Sequence, residues 1–165
     1  MKKTVLIVLS MFCVQLFASD SHPEVRDPPS NAQVPRFEIG AVLGFPTGIN
    51  AKYWFNRRAS VDIAAAWAFE DGGSFEVHGD LLYNLFFVNT YYGLMPFYFG
   101  VGGAVYFIDD PFVGVRIPIG LSYLFGEAPL SLTIEVVPIV GVAPTTEFRM
   151  GGGIGARLTF PFRRR

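Results

Sequence analysis

Cysteine is nearly missing from this chain. The single one, Cys13, lies in an apolar N-terminal leader, so the segment beyond it has no disulfide and no thiolate metal site to draw on. An excess of one charge is missing too: the formal net charge is −1 over 165 residues, which removes the basic surface that nucleic-acid binding requires. Beyond the leader, no apolar run approaches the roughly 20 residues of a membrane-crossing helix. That excludes helical insertion and leaves the closed β-barrel as the only form in which this chain crosses a bilayer. Metal-ligand spacings and phosphate loops are absent. The glycine runs Gly100-Val101-Gly102-Gly103 and Gly151-Gly152-Gly153-Ile154-Gly155 open no helix after a strand, so neither is a dinucleotide loop. No cofactor and no metal are expected.

What is present is apolar and aromatic. At 51% hydrophobic and 16% aromatic residues the chain is no disordered polymer, and its length suits one domain. Lys2 and Lys3, the run Val5 to Phe17, and the small Ala18 and Ser19 predict a secretory signal over 1-18, cleaved after Ala18 or Ser19. A lipoprotein reading on Cys13 is disfavoured by Phe12, which stands where a small residue is wanted. Residues 19-35, with four prolines and no period, predict a disordered periplasmic tail.

From Arg36 the pattern alternates with period two, broken by Pro46-Thr47-Gly48, Asn56-Arg57-Arg58, Asp71-Gly72-Gly73-Ser74, Asp109-Asp110-Pro111, Gly126-Glu127-Ala128-Pro129 and Pro144-Thr145-Thr146. A longer polar-aromatic loop is expected at Val88 to Leu94. Cutting there gives eight strands: 36-45, 49-56, 60-70, 75-86, 95-108, 112-125, 130-143 and 146-162. The expected fold is therefore all-β, an eight-stranded antiparallel up-and-down transmembrane β-barrel over 36-162, followed by a basic tail at 163-165.

The faces decide which side is inside. In the last strand Glu147, Arg149, Gly151, Gly153, Gly155, Arg157 and Thr159 oppose Phe148, Met150, Ile154, Leu158 and Phe160. Glu76, His78 and Asp80 oppose Phe75, Val77, Leu81 and Tyr83, and Asp62 and Glu70 oppose Val61, Ile63 and Trp67. The polar face is crowded with glycine and alanine, which suits a narrow lumen better than a water-facing surface, where Lys, Glu, Thr and Ser would be expected. Aromatics gather near strand ends on the apolar face, among them Phe37, Phe45, Tyr53, Phe55, Phe69, Phe75, Phe107, Phe160 and Phe162, in the manner of interfacial girdles.

The lumen set then holds Glu38, Lys52, Asp62, Glu70, Glu76, His78, Asp80, Arg116, Glu135, Glu147, Arg149 and Arg157. Confined charges must pair, which predicts an ionic network that fills the barrel. A narrow cation-conducting path is the first alternative. A soluble periplasmic barrel with an apolar lumen holding lipid is the second. The third is a lipid-modifying enzyme, which would need a nucleophile such as Ser122 within reach of His78.

Several stretches carry a resemblance: Gly44-Phe45-Pro46-Thr47-Gly48 before Lys52-Tyr53-Trp54, His78-Gly79-Asp80-Leu81-Leu82-Tyr83, Phe97-Tyr98-Phe99-Gly100, Gly114-Val115-Arg116-Ile117-Pro118, Glu135-Val136-Val137-Pro138 and Gly151-Gly152-Gly153-Ile154-Gly155-Ala156-Arg157. Together they resemble an uncharacterised family of small bacterial outer-membrane β-barrel proteins, similar to the eight-stranded transmembrane domain of the OmpA type. The resemblance implies an outer-membrane location, membrane lipids and the outer-membrane assembly machinery as partners, and a structural or membrane-maintaining role. It carries no catalytic residues. A monomer that is not an enzyme is expected. One departure stands out, since Phe160 and Phe162 are followed by Arg163-Arg164-Arg165 where such barrels end on an aromatic residue.

Overall fold

The computed structural model describes residues 24–26, 34–68, 74–107 and 111–160; the signal, Glu70, Phe69, Phe162 and the terminal arginines lie outside them. Among the described residues there are ten strands: β1 (Glu24–Arg26), β2 (Phe37–Phe45), β3 (Thr47–Trp54), β4 (Ala59–Ala68), β5 (Ser74–Thr90), β6 (Gly93–Phe107), β7 (Phe112–Arg116), β8 (Ile119–Phe125), β9 (Leu130–Ala143) and β10 (Phe148–Phe160). Every pairing is antiparallel. The nine strands from β2 to β10 close into a ring, because β10 pairs with β2 while β7 and β8 share the gap between β6 and β9. A ring without free edges satisfies its backbone groups internally.

Short side-chain contacts make the turns. Thr47 Oγ1 donates to the Gly44 carbonyl at 3.1 Å, closing the Pro46 turn, and Asn56 Oδ1 accepts from the Arg58 and Ala59 amides at 2.8 and 2.9 Å. The former puts the β2–β3 turn at Pro46 alone, so β3 begins at Thr47, two residues ahead of the expected strand. In the sixth expected strand, Pro118 lacks the N–H that a ladder needs, which separates β7 from β8.

Two expectations fail in instructive ways. The stretch Val88 to Leu94 is no loop: β5 runs on to Thr90, turns at Tyr91-Tyr92, and β6 begins at Gly93. A register shift between Asn84 and Phe86 makes this possible. Leu85 and Phe86 both point outward there, so the inward parity changes from Asn84 to Phe87. The alternation was lost at the bulge, and the strand was not. The second failure is in the proline-rich segment, where β1 pairs with Phe87, Val88 and Asn89 of β5, beyond the end of β4. Glu24–Arg26 is thus strand within the stretch 19-35 expected to be a disordered tail, of which 19–23 and 27–33 lie outside the described residues.

One end of the ring gathers Phe37, Trp54, Thr90, Gly93, Phe125 and Phe160, and is called here the terminal end. The opposite, far end carries Thr47, Phe107, Phe112, Ala143 and Phe148. Inside, an apolar cluster of Trp54, Phe87, Leu94 and Leu124 fills the terminal end, with Val34 against it. A second one, Ala104, Tyr106, Phe112, Val137 and Ile139, occupies the β6–β7–β9 side of the far end. Between them lies a polar layer.

Candidate functional site: the polar interior

Alternation places one polar side chain per pleat on the inner wall, and the ring brings distant strands together. Contacts that skip a strand are made on the concave side. Arg157 on β10 reaches Asp62 on β4 with Nη2 at 2.9 Å from Oδ2, and its Nη1 donates to Thr133 Oγ1 at 2.7 Å. Arg116 on β7 donates from Nη1 to Glu76 Oε1 at 2.8 Å and from Nε to both Asp80 oxygens at 3.2 Å, with Glu135 at 4.0 Å. A guanidinium offers five donors in a fixed fork, which is why one arginine serves three carboxylates here.

Toward the terminal end, Glu38 accepts from Trp54 Nε1 and from Ser131 Oγ, each at 2.5 Å. Lys52 is fully buried, with Nζ 4.6 Å from the ring centroids of both Trp54 and Tyr98. Its charge is held by two aromatic faces. The Tyr98 hydroxyl donates to Glu135 Oε2 at 2.7 Å. Gly120 gives this ring its room, since a Cβ built there falls on the Tyr98 ring and hydroxyl.

His78 Nδ1 lies 2.7 Å from Glu76 Oε1, and Nε2 is 3.9 Å from Asp80. Glu147 and Arg149 sit apart from the rest, half-exposed at the far rim and paired with each other, with the Arg149 guanidinium 4.1 Å from the Phe112 ring centroid. The residues expected on the inner wall therefore divide. Glu38, Lys52, Asp62, Glu76, His78, Asp80, Arg116, Glu135 and Arg157 form the central layer, whereas Glu147 and Arg149 form a rim pair.

Ser122 does not face His78 as a nucleophile would; its Oγ lies 3.1 Å from Thr133 Oγ1, and among the described residues no hydrogen bond joins the two. The apolar lumen of a lipid carrier is not what the chain builds either. Its apolar face points outward, with Leu43, Ile49, Ile63, Leu81, Ile134 and Ile154 exposed, and charges are buried inside. Sequence reasoning missed Asn50, Ser60 and Asn84 and both apolar end clusters. Asn50 and Ser60 share the parity of Lys52 and Asp62, a signal that was there to be used. Phe87 carried none, because the bulge inverts its parity.

Comparison with known proteins adds the fold. No protein-family model matches the chain, and no curated protein sequence is significantly similar to it. Among solved structures it is similar to the crystal structure of the N-terminal β-barrel domain of Pseudomonas aeruginosa OprF. The TM-score is 0.58 and the identity 17%, over 75% of this chain and 95% of that one. At that identity the likeness is one of fold. It makes the closed ring a β-barrel, the fold that the resemblance implied, while membership of one particular small family draws no support from it.

Proposed function

We propose that this chain is an outer-membrane protein whose barrel spans the bilayer, with a structural or membrane-maintaining role. Counted by position around the ring, with β7 and β8 as one interrupted stave, the barrel has eight staves. One observation carries the reading: among the described residues, no charged side chain lies on the outward face of any of them. Aromatics mark both ends of that face. Phe37 meets Phe160 and Phe86 stacks on Phe97 toward the terminal end, while Phe75 contacts Trp67 and Phe107 at the far end. An uncharged band between aromatic girdles is the signature of a lipid-facing barrel. A water-facing surface would carry charge on that face.

The same reading supplies the rest. The N-terminal leader exports the chain, the assembly machinery inserts it, and membrane lipids are its surroundings. Both ends of the barrel segment, Phe37 and Phe160, sit at the terminal end, which then faces the periplasm. The interior is closed there by the Trp54, Phe87, Leu94 and Leu124 cluster, so the role is structural rather than conductive.

Fractionation of cells expressing the full chain, with boiled and unboiled gel samples, tests this. Outer-membrane pelleting and a faster unboiled band are expected. Recovery in the soluble periplasm would overturn the membrane reading, and steady conductance in planar bilayers would replace the structural role with that of a pore.

A further inference from the structure

The charges outside the lumen are not spread evenly. Among the described side chains, the terminal rim carries Arg36, Arg57 and Arg58 against Glu127 alone, whereas Glu147 and Arg149 pair with each other at the far rim. Position sharpens the difference. Arg57 and Arg58 occupy the β3–β4 turn and Glu127 the β8–β9 turn. Between these turns the ring passes β4, β5, β6 and the β7–β8 stave one way and β3, β2, β10 and β9 the other, four staves by either route. The acid therefore stands on the opposite wall, and the arginine sector keeps its positive charge.

The arginine turn is held from two sides. Asn56 Oδ1 accepts from the Arg58 and Ala59 amides, and Asn84 Nδ2 donates to the Arg57 and Arg58 carbonyls at 3.2 and 3.3 Å. The Asn84 amide adds a bond of 2.7 Å to the Arg58 carbonyl. Two asparagines, one from the turn and one from β5, thus fix the backbone that bears both guanidiniums.

Beside the turn lies an open recess of about 660 Å³, bordered by Val34, Asn56, Arg57, Arg58, Ala59 and Tyr83. Ala59 and Tyr83 are register partners on the outward face, where Tyr83 is 43% exposed and meets Phe99 edge-on. From there Val61, Leu81 and Val101 continue the apolar belt. Guanidiniums present planar forks of donors that suit phosphate oxygens, and the belt suits acyl chains. A molecule that joins an anionic phosphate to acyl chains meets both walls of the recess; a free anion or an acidic peptide meets only the first.

We propose that this recess binds an anionic phospholipid of the periplasm-facing leaflet, its phosphate on Arg57 and Arg58 and an acyl chain along Ala59 and Tyr83. The proposal rests on the bilayer-spanning reading and adds lipid selectivity to it, because a zwitterionic lipid brings its own cation into a positive sector. Arg36 extends that sector along β2, where its Nε donates to the Tyr53 hydroxyl at 3.2 Å.

The test is native mass spectrometry of the full chain released from detergent micelles, after addition of dioleoylphosphatidylglycerol, dioleoylphosphatidylcholine, or glycerol phosphate as a headgroup without chains. One saturable phosphatidylglycerol adduct is expected, formed about tenfold more readily than the phosphatidylcholine adduct, with no glycerol phosphate adduct at the same concentration. Arg57→Gln combined with Arg58→Gln is expected to remove the preference, and Arg149→Gln, which deletes a positive charge at the far rim, to keep it. Ala59→Phe fills the recess without touching a charge and is expected to weaken the adduct; it decides alone should the arginine variant lose the fast unboiled band. Equal adducts with the two lipids, a glycerol phosphate adduct as strong as the lipid's, a preference that survives the arginine variant or Ala59→Phe, or one that Arg149→Gln also abolishes would overturn the proposal. A chain that pellets with the outer membrane yet shows no lipid preference sinks this site alone, whereas recovery in the soluble periplasm sinks the membrane reading itself.

Discussion

Arg157 and Asp62 stand 95 residues apart in sequence and on strands separated by β2 and β3, yet their side chains meet at 2.9 Å inside the ring. Only closure of the ring through β10 and β2 brings them together.

Removing one partner therefore tests closure as well as charge. Arg157→Met leaves the Asp62 carboxylate buried without its cation and is expected to destabilise the barrel by about 3–5 kcal/mol. Pairing it with Asp62→Leu is expected to restore at least half of that loss. Guanidinium unfolding in micelles measures both, and a single variant within about 0.5 kcal/mol of the parent would show that the pair is not formed.

The outward face makes a separate prediction. Leu81 is 60% exposed and lies midway along the belt, between Val61 and Val101. In lipid, Leu81→Arg is expected to cost about 2–4 kcal/mol. On a face turned to water the same change costs under about 0.5 kcal/mol. Unfolding of the two proteins in lipid vesicles separates the cases.

Phe87 plugs the terminal end because the bulge at Leu85 turns it inward. Phe87→Ala is expected to cost about 3–5 kcal/mol by leaving a cavity, whereas Tyr91→Ala, at an 88% exposed turn position, is expected to leave stability unchanged. Deleting Leu85 removes the extra residue and leaves Asn84, Phe86 and Phe87 in regular in-out-in alternation opposite Tyr98, Phe97 and Pro96, so Phe87 stays in the plug. Retention of the fast unboiled band is the expected result; its loss would mean that the barrel needs the bulge itself and not only the inward Phe87.

Gly120 is the bed of the Tyr98 ring. Gly120→Val is expected to displace that ring and to lower stability by about 1–3 kcal/mol through overpacking. If tryptophan fluorescence of Trp54, which shares Lys52 with Tyr98, is unchanged in the folded variant, the ring has not moved.

Much of this was legible in the residues. Alternation in strands such as Phe148–Phe160 fixed which side chains share a face, since the pleat has period two and a charge cannot lie among lipid-facing neighbours without heavy cost. The turn at Asn56 was legible for a similar local reason, because its side chain substitutes for a backbone acceptor. The path of β5 was not. A bulge is an insertion in one strand relative to its partner, so Leu85 announces nothing until β6 is laid beside it.

The amino-acid order by itself determined most of the strands, the parity of their faces away from the bulge at Leu85 and the stock of interior charges, because each depends on residues near in sequence. The tertiary structure alone decided which charges meet, that Glu147 and Arg149 pair at the rim while Arg157 crosses to Asp62, and that Arg57 and Arg58 border one recess with Tyr83. Those outcomes depend on the register and closure of the ring, which sum the contributions of every strand and are encoded in no one of them.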